Sequence, residues 1–167
     1  MKPTNTGRIA VLAVIIFALD QLTKLAVLKF LPDPGHSEVH VLPGFFTIIH
    51  VHNDGAAWSM FKGYNLLLGI VSAIALALLI WFRDKFGANT RLGWISLGLL
   101  FGGIAGNLLD RLVHGHVIDF LNFHVITRAG ATHYFPTFNI ADSAICIGVG
   151  LLFILSWRSE KPSEAKT

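Results

Sequence analysis

Long apolar stretches dominate the hydrophobic pattern of this chain. Crossing roughly 30 Å of hydrocarbon as a helix requires about 20 consecutive apolar residues. Four stretches reach that length: Ile9–Phe30, Tyr64–Phe82, Leu92–Val113 and Phe138–Trp157. The pattern therefore predicts an all-α integral membrane protein with four transmembrane helices. With 167 residues in all, we expect a single polytopic domain.

The two longest connections carry a different pattern. Residues 31–63 contain FFTIIHVHNDG and residues 114–137 contain HVIDFLNF, and both segments are rich in strand-forming residues. We therefore expect a small β element packed against the helix ends. The last residues, 159–167, are polar and predicted to be disordered.

The first apolar stretch is predicted to be a permanent helix. Lys2 and Arg8 precede it, as in a signal sequence, but the apolar run is too long for a typical signal peptide core. No cleavage site of the A-x-A type follows it. Cys146 is the only cysteine, which excludes an internal disulfide.

Charge sets the predicted orientation. Of 13 Lys and Arg residues, eight lie at the N-terminus, in the second connection or in the C-terminal tail: Lys2, Arg8, Arg83, Lys85, Arg91, Arg158, Lys161 and Lys166. The positive-inside rule places these regions, including both termini, in the cytoplasm. Connections 31–63 and 114–137 then form outer loops. The net charge of +3 is small, and the basic residues do not form a cluster that would indicate a nucleic-acid partner.

Polar residues inside the predicted spans gather at one depth. With the orientation above, they lie in the outer part of three helices: Asp20, Lys24, Asn107, Asp110, Arg111, Asn139 and Asp142. Pairs Asp20–Lys24 and Asp110–Arg111 can neutralise each other, so a structural role is at least as plausible for them as a functional one. The glycines of the third span, Gly98, Gly102, Gly103 and Gly106, allow close helix approach at that depth.

Two acids remain without a basic partner. Asp142 is the only charge in the fourth apolar stretch, and Asp119, in the preceding outer loop, is expected at the same level. Two carboxyl groups held close together cannot both ionise readily. One then stays protonated and can donate to a scissile carbonyl, while the other takes a proton from water. This chemistry suits peptide hydrolysis without a metal or a covalent intermediate.

Other chemistries have weaker support. The pairs His50-x-His52 and His114-x-His116 offer metal ligands, but there is no H-E-x-x-H helix, and we assign no metal and no cofactor. Cys146 is expected to be a packing residue. Ser59 and Ser143 have no evident His–Asp arrangement.

Four sequence blocks carry a family resemblance. DQLTK (20–24), NDGAAWS (53–59), GGIAGNLLDRLVHGHVIDFL (102–121) and YFPTFNIADSAI (134–145) occur in the order and spacing typical of the family. In these blocks the chain resembles the lipoprotein signal peptidases, or signal peptidases II, which are bacterial membrane aspartyl proteases. The resemblance covers nearly the whole chain.

The resemblance implies roles for particular residues. Asp119 and Asp142 match the catalytic pair. Residues that match the lining and substrate-binding positions are Asn53, Gly55, Asn107, Arg111 and Asn139, and those that match buried supporting positions are Asp20, Lys24 and Asp110. Two positions depart from the family pattern. Trp58 stands where Phe is expected, and Asp54 stands where a small polar residue is common, which leaves a pH or salt effect open.

The same resemblance implies the substrate and the location. The substrate is a prolipoprotein whose cysteine already carries diacylglycerol, and cleavage falls just before that cysteine. Expected partners are membrane lipids and peptide inhibitors of the globomycin type. The protein is expected in the bacterial cytoplasmic (inner) membrane, with its active site near the outer face.

Two other function classes fit parts of the pattern. In a small transporter or ion-binding protein, Asp20, Asp110 and Asp142 would form a proton or cation path. The inner halves of the spans are apolar, however, and a path needs polar groups at both depths. A non-catalytic assembly factor would use the polar cluster as structural glue, which leaves Asp119 and Asp142 unexplained.

Overall fold

The chain folds into four long helices and a four-stranded antiparallel sheet. The structure, a computed structural model, describes residues 5–55, 63–128 and 130–159. In chain order the elements are α1 (Thr6–Phe30), β1 (Glu38–Leu42), β2 (Phe46–Asn53), α2 (Asn65–Phe82), α3 (Arg91–Val113), β3 (Val117–Ile126), β4 (Thr132–Tyr134) and α4 (Ile140–Ser159). Among the sequence predictions, those for Lys2, Trp58, Ser59, Lys161 and Lys166 and for tail residues 160–167 lie outside the described residues.

All four helices are long and apolar enough to cross a membrane, which confirms the predicted fold class. Their ends differ from the apolar stretches by a few residues because backbone capping, and not hydropathy, sets a helix end. Thr90 caps α3, where its side-chain oxygen accepts a hydrogen bond from the Gly93 amide at 3.0 Å. In the predicted tail, Ser159 still belongs to α4.

Helix α3 is the centre of the bundle and packs against α1, α2 and α4. In the most apolar 18-residue segment of α3, 50% of the residues are buried inside the protein, whereas the corresponding share for α2 is 6%. The exposed apolar side chains of α2 suit a lipid environment. A Cβ atom on Gly98 would meet Leu12 of α1 at 2.8 Å, and one on Gly103 would meet the carbonyl of Ala141 in α4 at 2.6 Å. The close approach expected of the glycines is therefore confirmed.

The sheet has the order β1-β2-β3-β4 and covers one end of the bundle. In the β2–β3 pair, Val51 lies opposite Asp119 and Asn53 opposite Val117. Ile118 and Phe120 pack against the end of α1. Because side chains alternate along a strand, Asp119 between them points to the other face of β3. The sheet thereby directs this carboxyl away from the apolar core.

Strands β2 and β3 correspond to the two predicted strand segments, whereas β1 and β4 were not predicted. Every side chain of β1 and of β4 is exposed. Both strands are short, with five and three residues, and neither buries a face against the core, so their sequence signal is weak. These edge strands depend on pairing with β2 and β3.

Candidate active site

Asp119 lies in β3 with only 1% of its surface exposed. Its Oδ2 accepts a hydrogen bond from Asn53 Nδ2 at 2.8 Å, and its Oδ1 accepts one from Asn139 Nδ2 at 2.8 Å. The register of β2 and β3 brings Asn53 to this position. Both oxygens of the carboxyl are therefore oriented by amides from neighbouring elements.

Asp142 lies in the first turn of α4, and Asn139 lies just before that helix. The Asp142 amide donates to Asn139 Oδ1 at 2.8 Å, and the Asn139 amide donates to Asp142 Oδ2 at 3.2 Å. This reciprocal arrangement is a capping box, with Asn and Asp in place of the usual Ser or Thr and Glu. Since Asn139 also holds Asp119, one fully buried residue links the two carboxyl groups.

Asn107 of α3 holds the other oxygen of Asp142. Its Nδ2 donates to Asp142 Oδ1 at 2.7 Å, while its Oδ1 accepts from Lys24 Nζ at 3.0 Å. An ammonium group can only donate, so the amide oxygen of Asn107 must face Lys24. The amide nitrogen must then face Asp142, and the orientation of the side chain is unambiguous.

A buried ion cluster lies behind these residues. Lys24 Nζ is 2.8 Å from Asp20 Oδ2 and 2.7 Å from Asp110 Oδ2, and no more than 2% of any of the three side chains is exposed. Two carboxylates share one ammonium, and Gln21 Nε2 adds hydrogen bonds to Asp20 at 3.1 Å and to Asp110 at 3.0 Å. Buried charges require such pairing, because an unpaired one costs several kcal/mol.

The cluster confirms one expected ion pair and corrects the other. Asp20 pairs with Lys24 as predicted, but Asp110 pairs with Lys24 and not with Arg111. Consecutive residues of a helix point in different directions, so Asp110 and Arg111 do not face each other.

The two carboxylates of the cluster also hold backbone amides. Asp20 Oδ1 accepts from the Ala141 amide at 2.9 Å, and Asp110 Oδ2 accepts from the Ile118 amide at 3.1 Å. Ala141 immediately precedes Asp142, and Ile118 immediately precedes Asp119. The ion cluster therefore holds the backbone beside each of the two candidate catalytic acids.

Arg111 is partly buried at the other side of the site. Its guanidinium donates to the carbonyl of Gly55 at 3.1 Å and to that of Asn107 at 3.2 Å. The Gly55 amide in turn donates to Asn53 Oδ1 at 3.0 Å. Within the described part of the chain, the buried Arg111 Nε has no hydrogen-bond partner.

These residues surround a cavity of about 690 Å³ between the sheet and the helices. The polar part of its lining includes Asn53, Gly55, Asn107, Arg111, Asp119 and Asp142, and the apolar part includes Val51, Val117, Phe135, Phe138 and Ile145. The cavity has the size of a pocket for a small molecule or a few peptide residues. Asn139, Asp20, Lys24 and Asp110 stand behind the lining and hold it.

Burial raises the pKa of Asp119 to about 7, and the nearby negative charge of Asp142 adds to this effect. The hydrogen bonds from Asn53 and Asn139 and the positive charge of Lys24 act in the opposite direction. Asp119 is therefore partly protonated near neutral pH, next to a second carboxyl group. A site with one acidic and one basic carboxyl can perform general acid–base chemistry.

The histidine pairs of the outer loops were the metal ligands that the sequence offered. Among residues 5–55, 63–128 and 130–159, no group of three or more His, Cys, Asp or Glu side chains is arranged to hold a metal ion. His52 and His116 instead stack face to face, with ring centroids 3.7 Å apart.

Sequence reasoning missed Gln21 and the capping box. The available signals were a polar side chain next to Asp20 within an apolar stretch, and the spacing N-x-x-D at the start of the fourth stretch. Neither signal identifies its partners, because Gln21 contacts Asp110 from another helix.

Comparisons with known proteins match this arrangement to one family. The family model described as signal peptidase (SPase) II matches residues 12–158. The lipoprotein signal peptidase of Aeromonas hydrophila is 43% identical over 157 residues, covering 92% of this chain and 90% of the relative. That of Symbiobacterium thermophilum is 38% identical over 144 residues, covering 86% and 90%.

Solved structures agree with the sequence comparisons. A bacterial membrane enzyme solved by the in meso method superposes with a TM-score of 0.85 at 30% identity, covering 99% of this chain and 98% of the other. A second one superposes with a TM-score of 0.79 at 31% identity, covering 96% and 99%. The resemblance seen in the four sequence blocks is thus confirmed over nearly the full length, and the chain belongs to the signal peptidase II family.

Proposed function

We propose that this protein is an aspartic endopeptidase that removes signal peptides from prolipoproteins. One observation carries the proposal: Asp119 and Asp142, from different elements, line one cavity and are both held by Asn139. Membership of the signal peptidase II family supports the same activity. It gives no support to the transporter or to the assembly factor.

Asp119 and Asp142 form the catalytic pair of this proposal. The raised pKa makes Asp119 the partner that carries the proton, and Asp142 then acts as the base. Asp142 takes a proton from water as the water oxygen attacks the scissile carbonyl carbon, and Asp119 gives its proton to the carbonyl oxygen. When the resulting diol collapses, Asp119 recovers a proton from one hydroxyl group and Asp142 protonates the leaving amine.

The other site residues bind substrate or position the pair. Asn53, Gly55 and Arg111 line the cavity, where the Arg111 guanidinium suits a backbone carbonyl of the substrate. Asn107 and Asn139 orient the two acids. The buried ion cluster positions the backbone next to the two acids through the contacts described above; its members are Asp20, Lys24, Asp110 and Gln21.

Lipid on the substrate has a positional role in this proposal. The cavity lies where the helices end and the sheet begins, and Phe135 and Phe138 contribute to its apolar wall. Acyl chains on the cysteine after the cut would anchor the scissile bond at that depth, since each buried methylene contributes about 0.8 kcal/mol. Cleavage just before a diacylglyceryl cysteine, and inhibition by globomycin-type peptides, follow from the family resemblance.

The proposed location is the bacterial inner membrane, with both termini in the cytoplasm and the active site near the outer face. The chain is a multi-span membrane protein. The 83–90 connection carries Arg83 and Lys85 and lies at the end of the bundle opposite the sheet. Its basic residues support the assignment of that end to the cytoplasm.

Replacing either acid with its amide should abolish cleavage. Asp119→Asn and Asp142→Asn keep the size of the side chain, but an amide is neither a carboxylate base nor a carboxylic acid. We expect release of signal peptide from a lipid-modified precursor to fall at least about a thousandfold for each, as for loss of an essential acid or base. Asp33→Asn, in an exposed loop, is the matched control. Substantial turnover by either site variant would refute the catalytic pair.

Activity should fall as the pH rises above about 7, the pKa of Asp119. The pair needs one proton, and deprotonation of Asp119 leaves two bases and no acid. Above that pH, kcat/KM should decrease about tenfold per pH unit. The measurement is a pH profile in an uncharged detergent. A kcat/KM that stays constant up to pH 9 would contradict the assignment of the proton to Asp119.

The enzyme should prefer the lipid-modified precursor. At equal concentrations in the same bilayer, we expect the unmodified precursor to be cut at least about a hundredfold more slowly, which corresponds to roughly 2.7 kcal/mol. Equal rates on both precursors would show that lipid anchoring does not select the substrate, even if the catalytic pair is correct.

The orientation can be tested with single cysteines in a Cys146→Ala background. Ala131 and Asn89 are both exposed and lie at opposite ends of the bundle. In intact spheroplasts, Ala131→Cys should react with a membrane-impermeant thiol reagent, and Asn89→Cys should react only after lysis. The reverse pattern would place the sheet and the cavity in the cytoplasm.

A further inference from the structure

Four histidines cluster at the ends of β2 and β3, beside the cavity. His52 stacks on His116 with ring centroids 3.7 Å apart and an angle of 27° between the rings. His50 meets the edge of His52 at 4.8 Å, and His114 lies 6.0 Å from His116. The mechanism above uses none of these rings.

The His52–His116 stack lies next to a contact that the catalytic pair needs. His52 immediately precedes Asn53, and His116 immediately precedes Val117, which is the partner of Asn53 in the β2–β3 register. Asn53 donates the hydrogen bond to Asp119 Oδ2. The two stacked rings therefore lie beside the strand ends that place Asn53 against Asp119.

The stack favours neutral rings. Two imidazolium rings with centroids 3.7 Å apart would repel each other, whereas neutral rings stack. Partial desolvation lowers the pKa of both His52 and His116, and neighbouring histidines lower each pKa further. Among the acids that face them, Asp54 raises the pKa of both rings.

Among the described residues, His50, His114, Asp54 and Asp110 also act on the pKa values of the stacked rings. His50 and His114 oppose protonation of His52 and of His116, and Asp110 favours protonation of His116. The ring of His50 is itself buried, with its Nδ1 2.8 Å from the carbonyl of Leu31. A carbonyl only accepts, so the proton of neutral His50 is on Nδ1. Its Nε2 has no hydrogen-bond partner in the described part of the chain.

We propose that the His52–His116 stack is an acid-sensitive switch that controls the alignment of Asn53 with Asp119. At neutral pH the rings stack and the strand ends stay together. In acid both rings become charged and separate, Asn53 moves relative to Asp119, and cleavage slows reversibly. The proposal rests on the proposed function, because it regulates the same catalytic pair.

His116→Phe tests the switch, because it keeps an aromatic ring in the stack and removes one of the two groups that become charged in acid. Because the pKa of both rings is lower than 6.5, the loss of activity develops below that pH, and between pH 7.5 and pH 4.5 we expect kcat/KM of the wild type to fall at least about threefold more than kcat/KM of His116→Phe. His133→Phe is the matched control, since His133 is exposed in β4, and it should follow the wild type. His116→Gln, which is also uncharged, provides the same comparison if His116→Phe does not fold.

Thermal stability provides a readout that does not depend on catalysis. The pKa of both rings is lower in the folded protein than the ordinary value of 6.5, so the unfolded chain binds protons more tightly. The contribution of the two rings to the stability of the folded protein is therefore fully present above about pH 6.5, and it is lost as the pH falls below that value. We expect Tm to decrease on acidification by a larger amount in the wild type than in His116→Phe.

An acid limb and a Tm profile that are the same in His116→Phe and in the wild type would overturn the switch. That result would leave the proposed function intact, since the loss of activity in Asp119→Asn and Asp142→Asn is measured at neutral pH. Conversely, full activity of those two variants would overturn the proposed function whatever the histidines do.

Discussion

The ammonium group of Lys24 lies between the carboxylates of Asp20 and Asp110, and the geometry of the site depends on this buried cluster. In an apolar environment each of these charges requires a partner, because an unpaired one costs several kcal/mol. Once neutralised, the carboxylates still have lone pairs to share with backbone amides. They accept from Ala141 and Ile118, the residues just before the two candidate catalytic acids. The charges that α1 and α3 bury thus determine where α4 and β3 lie.

Hydrogen bonds from this cluster run in one direction toward the cavity. Lys24 can only donate, which turns the amide oxygen of Asn107 toward it and the amide nitrogen toward Asp142. The backbone amide of Asp142 likewise turns the side chain of Asn139 so that its nitrogen faces Asp119. Asp142 and Asp119 therefore each accept a hydrogen bond from an asparagine whose orientation is fixed by its other hydrogen bonds. A site organised in this way needs little rearrangement when charge develops during a reaction.

The bundle and the sheet contribute different properties to the cavity. The helices supply Asn107, Arg111 and Asp142 on a rigid apolar scaffold, whose glycine contacts bring α3 close to α1 and α4. The sheet supplies Asp119, whose pKa is about 7, and next to it the histidine stack, whose pKa values are lowered by burial. These titratable groups lie on the side of the cavity that the sheet forms.

The sequence by itself determined the four spans, the two central strands and the set of polar residues inside the spans. These are local signals, because the length of an apolar run and the polar residues that interrupt it can be identified from a short segment of the sequence. The family resemblance added roles for those residues. Only the tertiary structure decided that Asp110 pairs with Lys24, that Gln21 joins them, and that the edge strands β1 and β4 form. Such pairings join residues far apart in the chain or on exposed edges, where the register and the direction of side chains depend on how whole elements pack.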